Sequence, residues 1–150
     1  MEFPCSPKVR SFCTKQGEGK RIVSSGCREK GALIMKTNLE RLQETLFIEG
    51  DSGADGALLT SEPNCRYLTG FPCSSRTILV TKEEVYFLTD FRYGEAARKK
   101  IQGCAIVEYR DARRSLEELL RRHNIKTLLL EHDNLSYGES EKYRSICEGL

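Results

Sequence analysis

The chain has 150 residues, of which 39% are hydrophobic, so it suits a single domain with a core of its own. Charged residues make up 31%, but their signs nearly cancel at a net charge of +2, which argues against nucleic acid or an anionic membrane as the partner. No apolar run approaches the roughly 20 residues that cross a bilayer, and no signal-peptide core is present, so we expect a soluble, cytoplasmic protein.

Residues 1–34 show no sustained hydrophobic period and are interrupted by Pro and Gly residues. Residues 1–35 carry seven Lys and Arg against three Glu, whereas the rest of the chain has a small acidic excess. Such a segment buries little apolar surface, so we predict a mostly disordered N-terminal extension over residues 1–34 and a folded domain over residues 35–150. A transit peptide is the functional alternative, which the three Glu residues weaken.

The rest of the chain alternates predicted helices and strands. Thr37 and Glu40 form a capping box for an amphipathic helix that ends near residues 49–50, and residues 61–64 form a turn or a single helical turn. We expect strands at residues 56–60, 77–81, 85–89, 105–109 and 127–131, and further helices whose N-terminal caps are Asp90, Ser115 and Ser136. This order predicts a three-layer α/β/α domain with a mixed sheet of about five to six strands, covered by helices on both faces.

Two clusters of polar and aromatic residues lie at the ends of the predicted hairpin 77–89. The first runs from Asn64 to Phe71 as Asn-Cys-Arg-Tyr-Leu-Thr-Gly-Phe, and the second runs from Leu88 to Tyr93 as Leu-Thr-Asp-Phe-Arg-Tyr. Polar and aromatic side chains at both ends of one short β unit are typical of a cleft wall. The two clusters are therefore the first place to look for function.

These two motifs, in this order and at this separation, resemble those of the N-terminal domain of the aminopeptidase P, prolidase and creatinase family. The resemblance extends from about Met35 to Leu150 and implies the same three-layer fold, with an RNase H-like sheet. It also implies a non-catalytic N-terminal domain of a Xaa-Pro aminopeptidase-like metallopeptidase. In that family this domain contributes to subunit association and borders the substrate entrance.

The resemblance places the catalytic chemistry outside this chain. The family's catalytic C-terminal domain binds Mn, Zn or Co through two Asp, one His and two Glu, and none of their sequence contexts occurs here. We therefore expect no catalytic residue and no metal ligand in this chain, which would be a gene fragment or a natural short protein. The expected partner is the catalytic domain of a parent enzyme or a second subunit, and proline-containing peptides would bind only in the full-length context. The alternative function is a stand-alone protein-interaction module without peptidase activity.

Four residues of the two motifs are candidates for the substrate entrance or an interface: Tyr67, Phe91, Arg92 and Tyr93. Aromatic residues and Arg are frequent anchors of protein interfaces, which favours a contact with the catalytic domain or a second subunit. The structural alternative is that Tyr67 and Phe91 pack in the core while Arg92 pairs with a carboxylate.

Other polar residues permit rival chemistry. Asp90 and Glu131 both end predicted strands, as in a two-metal nuclease, but that chemistry needs more acids around a basic groove. His123 follows a helix C-terminus, where a surface position is expected. His132 lies between two acidic residues and could bind a cation, although a solvated loop is the simpler interpretation.

The seven cysteines are odd in number, irregular in spacing and without a Cys-x-x-Cys pair. Neither a zinc site nor a redox pair is indicated, so we predict reduced thiols. Cys65 and Cys73 lie near the first motif but have no His nearby in sequence. We interpret them as plain thiols rather than nucleophiles.

Overall fold

The computed structural model describes residues 10–12, 36–49, 53–131 and 133–148, and the following account concerns these residues. Its strands are β1 Arg10–Phe12, β2 Gly56–Leu59, β3 Thr77–Thr81, β4 Val85–Asp90, β5 Ala105–Tyr109 and β6 Leu128–Glu131. Its helices are α1 Asn38–Glu44, continued by a π-helical turn Thr45–Glu49, then α2 Glu62–Thr69, α3 Phe91–Lys100, α4 Ala112–Arg122 and α5 Tyr137–Glu148. Among the described residues, no helix is long and apolar enough to cross a membrane.

The strands form one mixed sheet in the order β1-β6-β2-β3-β4-β5. Strand β3 runs antiparallel to both of its neighbours, and all other pairs are parallel. Strands β2, β4, β5 and β6 therefore end at the same edge of the sheet, which we call the carboxyl edge. In open α/β sheets, ligands and functional loops are usually found at this edge.

Helices cover both faces of the sheet. On one face, α1, α2 and α3 contribute Leu39, Cys65 and Ala97 to a core that includes Leu59 and Phe87 of the strands. On the other face, α4 and α5 pack against the strands through a second core, which includes Leu116, Leu120, Ile146, Leu58 and Leu88. The predicted three-layer α/β/α architecture with a mixed sheet is confirmed.

Helix α2 is longer than the turn or single helical turn that we predicted. It spans eight residues, with Ser61 as the N-terminal cap, Pro63 in the first turn and Gly70 as the C-terminal cap at a φ of 65°. Pro is well tolerated in a first helical turn, where its missing N–H has no intrahelical partner, and Gly accepts the left-handed cap conformation without a Cβ penalty. Pro63 and Gly70, which the sequence analysis took as signs of a turn, therefore mark the start and the end of a helix.

Two details around α4 also differ from the prediction. The helix begins at Ala112, not after Ser115, because the Asp111 side chain accepts hydrogen bonds from the backbone N–H groups of Arg113 and Arg114 at 3.0 and 3.2 Å. His123 is the C-terminal cap, as its position predicts, but its side chain is only 9% exposed. Its Nε2 lies 2.7 Å from the Tyr86 hydroxyl of the β3–β4 hairpin, and this contact replaces the surface position that we expected.

The predicted N-terminal extension lies mostly outside the described residues. Only Arg10–Phe12 is described, and it forms β1 in parallel beside β6, so that Arg10 pairs with Leu129 and Phe12 with Glu131. Backbone pairing to β6 thus replaces disorder for these three residues, because the outer edge of a sheet strand offers unpaired hydrogen-bonding groups. The prediction for residues 1–9 and 13–34 is not addressed by the structure, and His132 likewise lies outside the described residues.

The domain boundary near residue 35 remains a prediction that deletion can test. Deleting residues 1–34 should lower the thermal midpoint by less than about 5 °C, since a three-residue edge strand contributes little to global stability. Deleting residues 1–9 leaves β1 in place and is the matched control. A loss of more than about 5 °C from the first deletion but not from the second, monitored by circular dichroism, would show that β1 belongs to the folded domain.

Candidate interaction surface

Asn64, the first residue of the first motif, contacts a buried carboxylate. Glu131, at the end of β6, is 2% exposed. Its Oε2 accepts hydrogen bonds from the backbone N–H groups of Thr60 and Ser61 at 2.7 and 2.8 Å. Its Oε1 accepts from the Ser61 hydroxyl at 2.9 Å and from the Asn64 side-chain amide.

This arrangement compensates the cost of burying a charged group. An ionised carboxylate loses its hydration when buried and must be hydrogen-bonded in return. Glu131 has four donors from residues 60–64, and it also lies at the N-terminus of α2, where the helix dipole favours a negative charge. The hydrogen bond from Asn64 to Glu131 therefore connects α2 to β6. Asn64, the first residue of the motif, thus has a structural role.

The last three residues of the first motif, Thr69 to Phe71, also make structural contacts. The Thr69 hydroxyl donates to the Cys65 carbonyl at 2.7 Å and accepts from the Phe71 N–H at 3.1 Å. Gly70 caps the helix, and Phe71 then turns into the core, where its ring meets the rings of Phe87 and Tyr93 edge to face. The turn after α2 therefore joins this helix to α3.

The second motif connects β4 to α3. The Thr89 hydroxyl donates to the Ser75 carbonyl at 2.6 Å, which holds the segment before β3 against β4. Asp90 caps α3 by accepting from the Arg92 N–H at 3.0 Å, and its other carboxylate oxygen lies 2.5 Å from the Arg92 guanidinium. The hydrogen bond from the Arg92 side chain holds the pKa of Asp90 below its usual value.

The four candidate residues divide into two groups. Tyr67 and Phe91 are 73% and 75% exposed, so the expectation that these two rings pack in the core is not met. Arg92 is exposed as well, and it pairs with Asp90 as the structural alternative proposed. Tyr93 is half-buried: it packs on Phe71 and its hydroxyl lies 3.1 Å from the Ser74 hydroxyl.

Tyr67 and Phe91 lie on helices of the same layer. Tyr67 is on α2 and Phe91 begins α3, and both helices pack on the same face of the sheet. The Arg92 guanidinium lies over the Tyr93 ring at 5.4 Å from its centre, an attractive cation–π contact that orients the Arg92 side chain. We call Tyr67, Phe91 and Arg92 the α2–α3 surface.

The strand-end acids do not form a metal site. Asp90 and Glu131 lie on β4 and β6, which are separated by β2 and β3, so their strands are about 14 Å apart. Each carboxylate is already engaged, Asp90 by Arg92 and Glu131 by its four donors. Within the described part of the chain, no group of three or more His, Cys, Asp or Glu residues could hold a metal ion.

The thiols of the first motif's neighbourhood are poorly suited to nucleophilic chemistry. Burial raises the pKa of the Cys65 thiol to about 12, and burial also raises the pKa of Cys73. Both side chains are buried, and the thiolate is the reactive form. The interpretation of Cys65 and Cys73 as plain thiols is supported.

Sequence reasoning treated Glu131 as a strand-end acid and missed its connection to Asn64. The available signal was local: an acidic residue directly follows three consecutive Leu residues in a strand predicted to be buried on both faces. A buried acid of this kind needs donors. Only the folded chain identifies them, because residues 60–64 lie about seventy positions earlier, with Thr60 71 residues from Glu131.

Replacing Glu131 by Gln should destabilise the domain by about 3 kcal/mol, because an amide N–H₂ would face donors in place of one carboxylate oxygen. Chemical denaturation monitored by circular dichroism measures the change. Glu139→Gln is the matched control: Glu139 also accepts hydrogen bonds, from Ser136, but it is exposed. Equal losses from the two substitutions would contradict the role assigned to Glu131.

Comparisons with known proteins concern the family and the fold of the domain. A family model, the creatinase/prolidase N-terminal domain, matches residues 39–150. The uncharacterized peptidase YqhT of Bacillus subtilis is 31% identical over 107 residues, which are 71% of this chain and 30% of that protein. A putative Xaa-Pro aminopeptidase of Mycoplasma pneumoniae is 33% identical over 97 residues, which are 65% of this chain and 27% of that protein. The chain thus spans under a third of the length of these two curated relatives.

Solved structures show the same fold. The aminopeptidase P, an Xaa-Pro aminopeptidase, of Streptococcus thermophilus superposes with a TM-score of 0.68 at 29% identity, covering 75% of this chain and 84% of that chain. The Xaa-Pro dipeptidase of Bacillus anthracis gives a TM-score of 0.66 at 30% identity, covering 74% of this chain and 31% of that chain. The family resemblance seen in the two motifs is confirmed. The chain belongs to the creatinase/prolidase N-terminal domain family.

Proposed function

We propose that this chain serves as the non-catalytic N-terminal domain of a Xaa-Pro aminopeptidase-like metallopeptidase, and that its α2–α3 surface contacts the catalytic domain or a second subunit beside the substrate entrance. The observation that carries the proposal is the exposure of Tyr67 and Phe91 at 73% and 75%. Large apolar side chains that lie so far from the core are typical anchors of an interface. Membership of the family indicates which partner to expect, namely a catalytic domain or a second subunit of a peptidase.

The motifs support this assignment by elimination. Asn64, Thr69, Gly70 and Phe71 hold α2 in place, and Asp90 caps α3. Arg66, Tyr67, Phe91 and Arg92 are the motif residues whose side chains extend into solvent beside these contacts, and the last three form the α2–α3 surface. A domain that presents two aromatic rings and a guanidinium on one helical layer is suited to a partner with apolar pockets and acidic groups.

The reaction itself would belong to the partner domain. A putative Xaa-Pro aminopeptidase and an Xaa-Pro dipeptidase are among the relatives, so proline-containing peptides are the proposed substrates of the assembled enzyme. The Mn, Zn or Co ion would be held by the catalytic domain. Carboxylate and imidazole side chains of that domain would hold the ion, and the chemistry that the ion would supply is activation of the attacking water. A cytoplasmic location remains a prediction from the sequence.

A domain exchange tests this proposal. The N-terminal domain of the Bacillus anthracis Xaa-Pro dipeptidase would be replaced by residues 36–150 of this chain, and hydrolysis of a Xaa-Pro dipeptide would be measured with added Mn²⁺. We expect an active chimera, whereas this chain alone should release no product. Tyr67→Ser together with Phe91→Ser should lower kcat/KM of the chimera by about tenfold, since interface aromatics are common hot spots.

Tyr137→Ser is the matched control, because Tyr137 is 82% exposed but lies on α5, in the opposite helical layer. It should leave kcat/KM unchanged. The proposal fails if the two aromatic substitutions on the α2–α3 surface behave like Tyr137→Ser. An unchanged far-UV spectrum of the double variant shows that any loss comes from the interface rather than from unfolding.

A further inference from the structure

The connections that follow β4 and β5 leave the sheet toward opposite faces. These neighbouring strands are parallel, and Asp90 pairs with Tyr109 at their carboxyl ends. The chain after β4 enters α3, which packs on the face that holds Phe87, whereas the chain after β5 enters α4 on the face that holds Leu88. Parallel neighbours with diverging connections form a crevice at the carboxyl edge, where open α/β sheets usually bind their ligands.

A second crevice of this kind lies between β2 and β6. Strand β2 leads into α2 on one face, and β6 leads into α5 on the other. The chain fills this crevice with its own carboxylate, because Glu131 accepts hydrogen bonds from residues 60–64. The donors at the β2–β6 crevice are therefore satisfied within the domain.

A small cavity lies against the ends of β4 and β5, between α4 and α5. Its volume is about 40 Å³, and Leu88, Leu116 and Ile146 form an aliphatic wall. Its polar lining comes from the strands and from both helices: Thr77, Tyr109, Arg113, Lys142 and Tyr143. An apolar wall with a few convergent polar groups is the usual composition of a small-molecule site, and this volume admits only a few heavy atoms.

Two of the polar groups are donors without a protein acceptor. Within the part of the chain that the structure describes, neither the Lys142 ammonium nor the Tyr143 hydroxyl forms a hydrogen bond or an ion pair. Burial raises the pKa of Tyr143, so its hydroxyl keeps its proton and is a donor at neutral pH. Both groups line the same cavity, so an acceptor bound there would complete their hydrogen bonding.

The charges around the cavity favour an anion. Two cationic residues and no acidic residue line it among the described residues. Arg113 is paired with Glu117, but this contact uses only its Nε, at 2.9 Å. Glu139 interacts electrostatically with Lys142, yet its carboxylate already accepts hydrogen bonds from the Ser136 N–H and hydroxyl at 3.0 and 2.8 Å. The positive charge at the cavity is therefore only partly balanced by the protein.

We propose that this cavity binds a short aliphatic monocarboxylate of about the size of propionate. Its carboxylate accepts hydrogen bonds from Lys142 and Tyr143 and is attracted by Arg113, since hydrogen bonds to a charged acceptor are the stronger ones. Its methylene and methyl groups contact the aliphatic wall. The β4–β5 crevice would then hold a carboxylate supplied from outside, as the β2–β6 crevice holds the one supplied by Glu131. This inference does not depend on the proposed function.

Titration of the full chain with sodium propionate, followed by amide NMR spectra at constant ionic strength, tests the proposal. We expect saturable shift changes within residues 112–116 and 142–146, with a Kd of about 1–10 mM, as suits a ligand of so few atoms. The neutral alcohol 1-propanol has the same carbon chain. It should bind at least about tenfold more weakly, because it lacks the charge.

Two substitutions remove single donors. Lys142→Met keeps most of the aliphatic stem, Tyr143→Phe keeps the ring, and each should raise the Kd of propionate by about fivefold or more. Arg144→Met and Tyr137→Phe are the matched controls, because both residues are exposed on the same helix and lie outside the cavity lining. Both controls should leave the Kd unchanged. Far-UV circular dichroism verifies that each variant is folded.

Each of four results overturns the proposal. The first is the absence of saturable shifts up to about 100 mM propionate, far above the expected Kd. The second is equal binding of 1-propanol, which would leave only an apolar cavity. The third is the same shift pattern with chloride alone, which would indicate unspecific anion binding. The fourth is an unchanged Kd in both Lys142→Met and Tyr143→Phe.

Discussion

The buried carboxylate of Glu131 is the constraint on which the arrangement of the carboxyl edge depends. Its four hydrogen-bond donors come from the end of β2 and the first turn of α2. A carboxylate without them would carry a large desolvation cost, so β6, β2 and α2 must be positioned together. The direction of α2 then sets where Tyr67 lies and where the chain turns at Gly70.

The interior of the domain depends on this constraint and on the packing of helices against both faces of the sheet. Phe71 leaves α2 and contacts both Phe87 of the sheet and Tyr93 of α3, so the two helices share one core. Thr89 and Asp90 fix the start of α3. The side chains of the motifs that remain in solvent are thereby held on a rigid support, which suits them for contact with another domain.

Local signals predicted the elements that depend on local interactions. The cap of α3 at Asp90 and the capping boxes at Thr37 and Ser136 agree with the structure. The length of α2 and the start of α4 were wrong, because Pro63 and Asp111 each fit a helical start as well as a turn. The contacts of Glu131 and the burial of His123 join distant parts of the chain, and no local pattern encodes such partners.

The motifs that identify the family describe its fold more than its function. Asn64, Gly70 and Asp90 are explained by hydrogen bonds and backbone conformation within the domain. The same fold can support different activities, which depend on the surfaces and domains attached to it. The exposure of Tyr67 and Phe91 therefore says more about the role of this chain than the motifs as a whole.

A double-mutant cycle between Glu131 and Asn64 tests the central claim most directly. Glu131→Gln, Asn64→Ala and the combined variant would be compared by denaturant unfolding. If the two side chains form one buried network, the losses should be non-additive, with a coupling free energy of at least about 1 kcal/mol. Losses that add to within about 0.5 kcal/mol would mean that Asn64 does not act through Glu131, and the account of how α2 is positioned would be wrong.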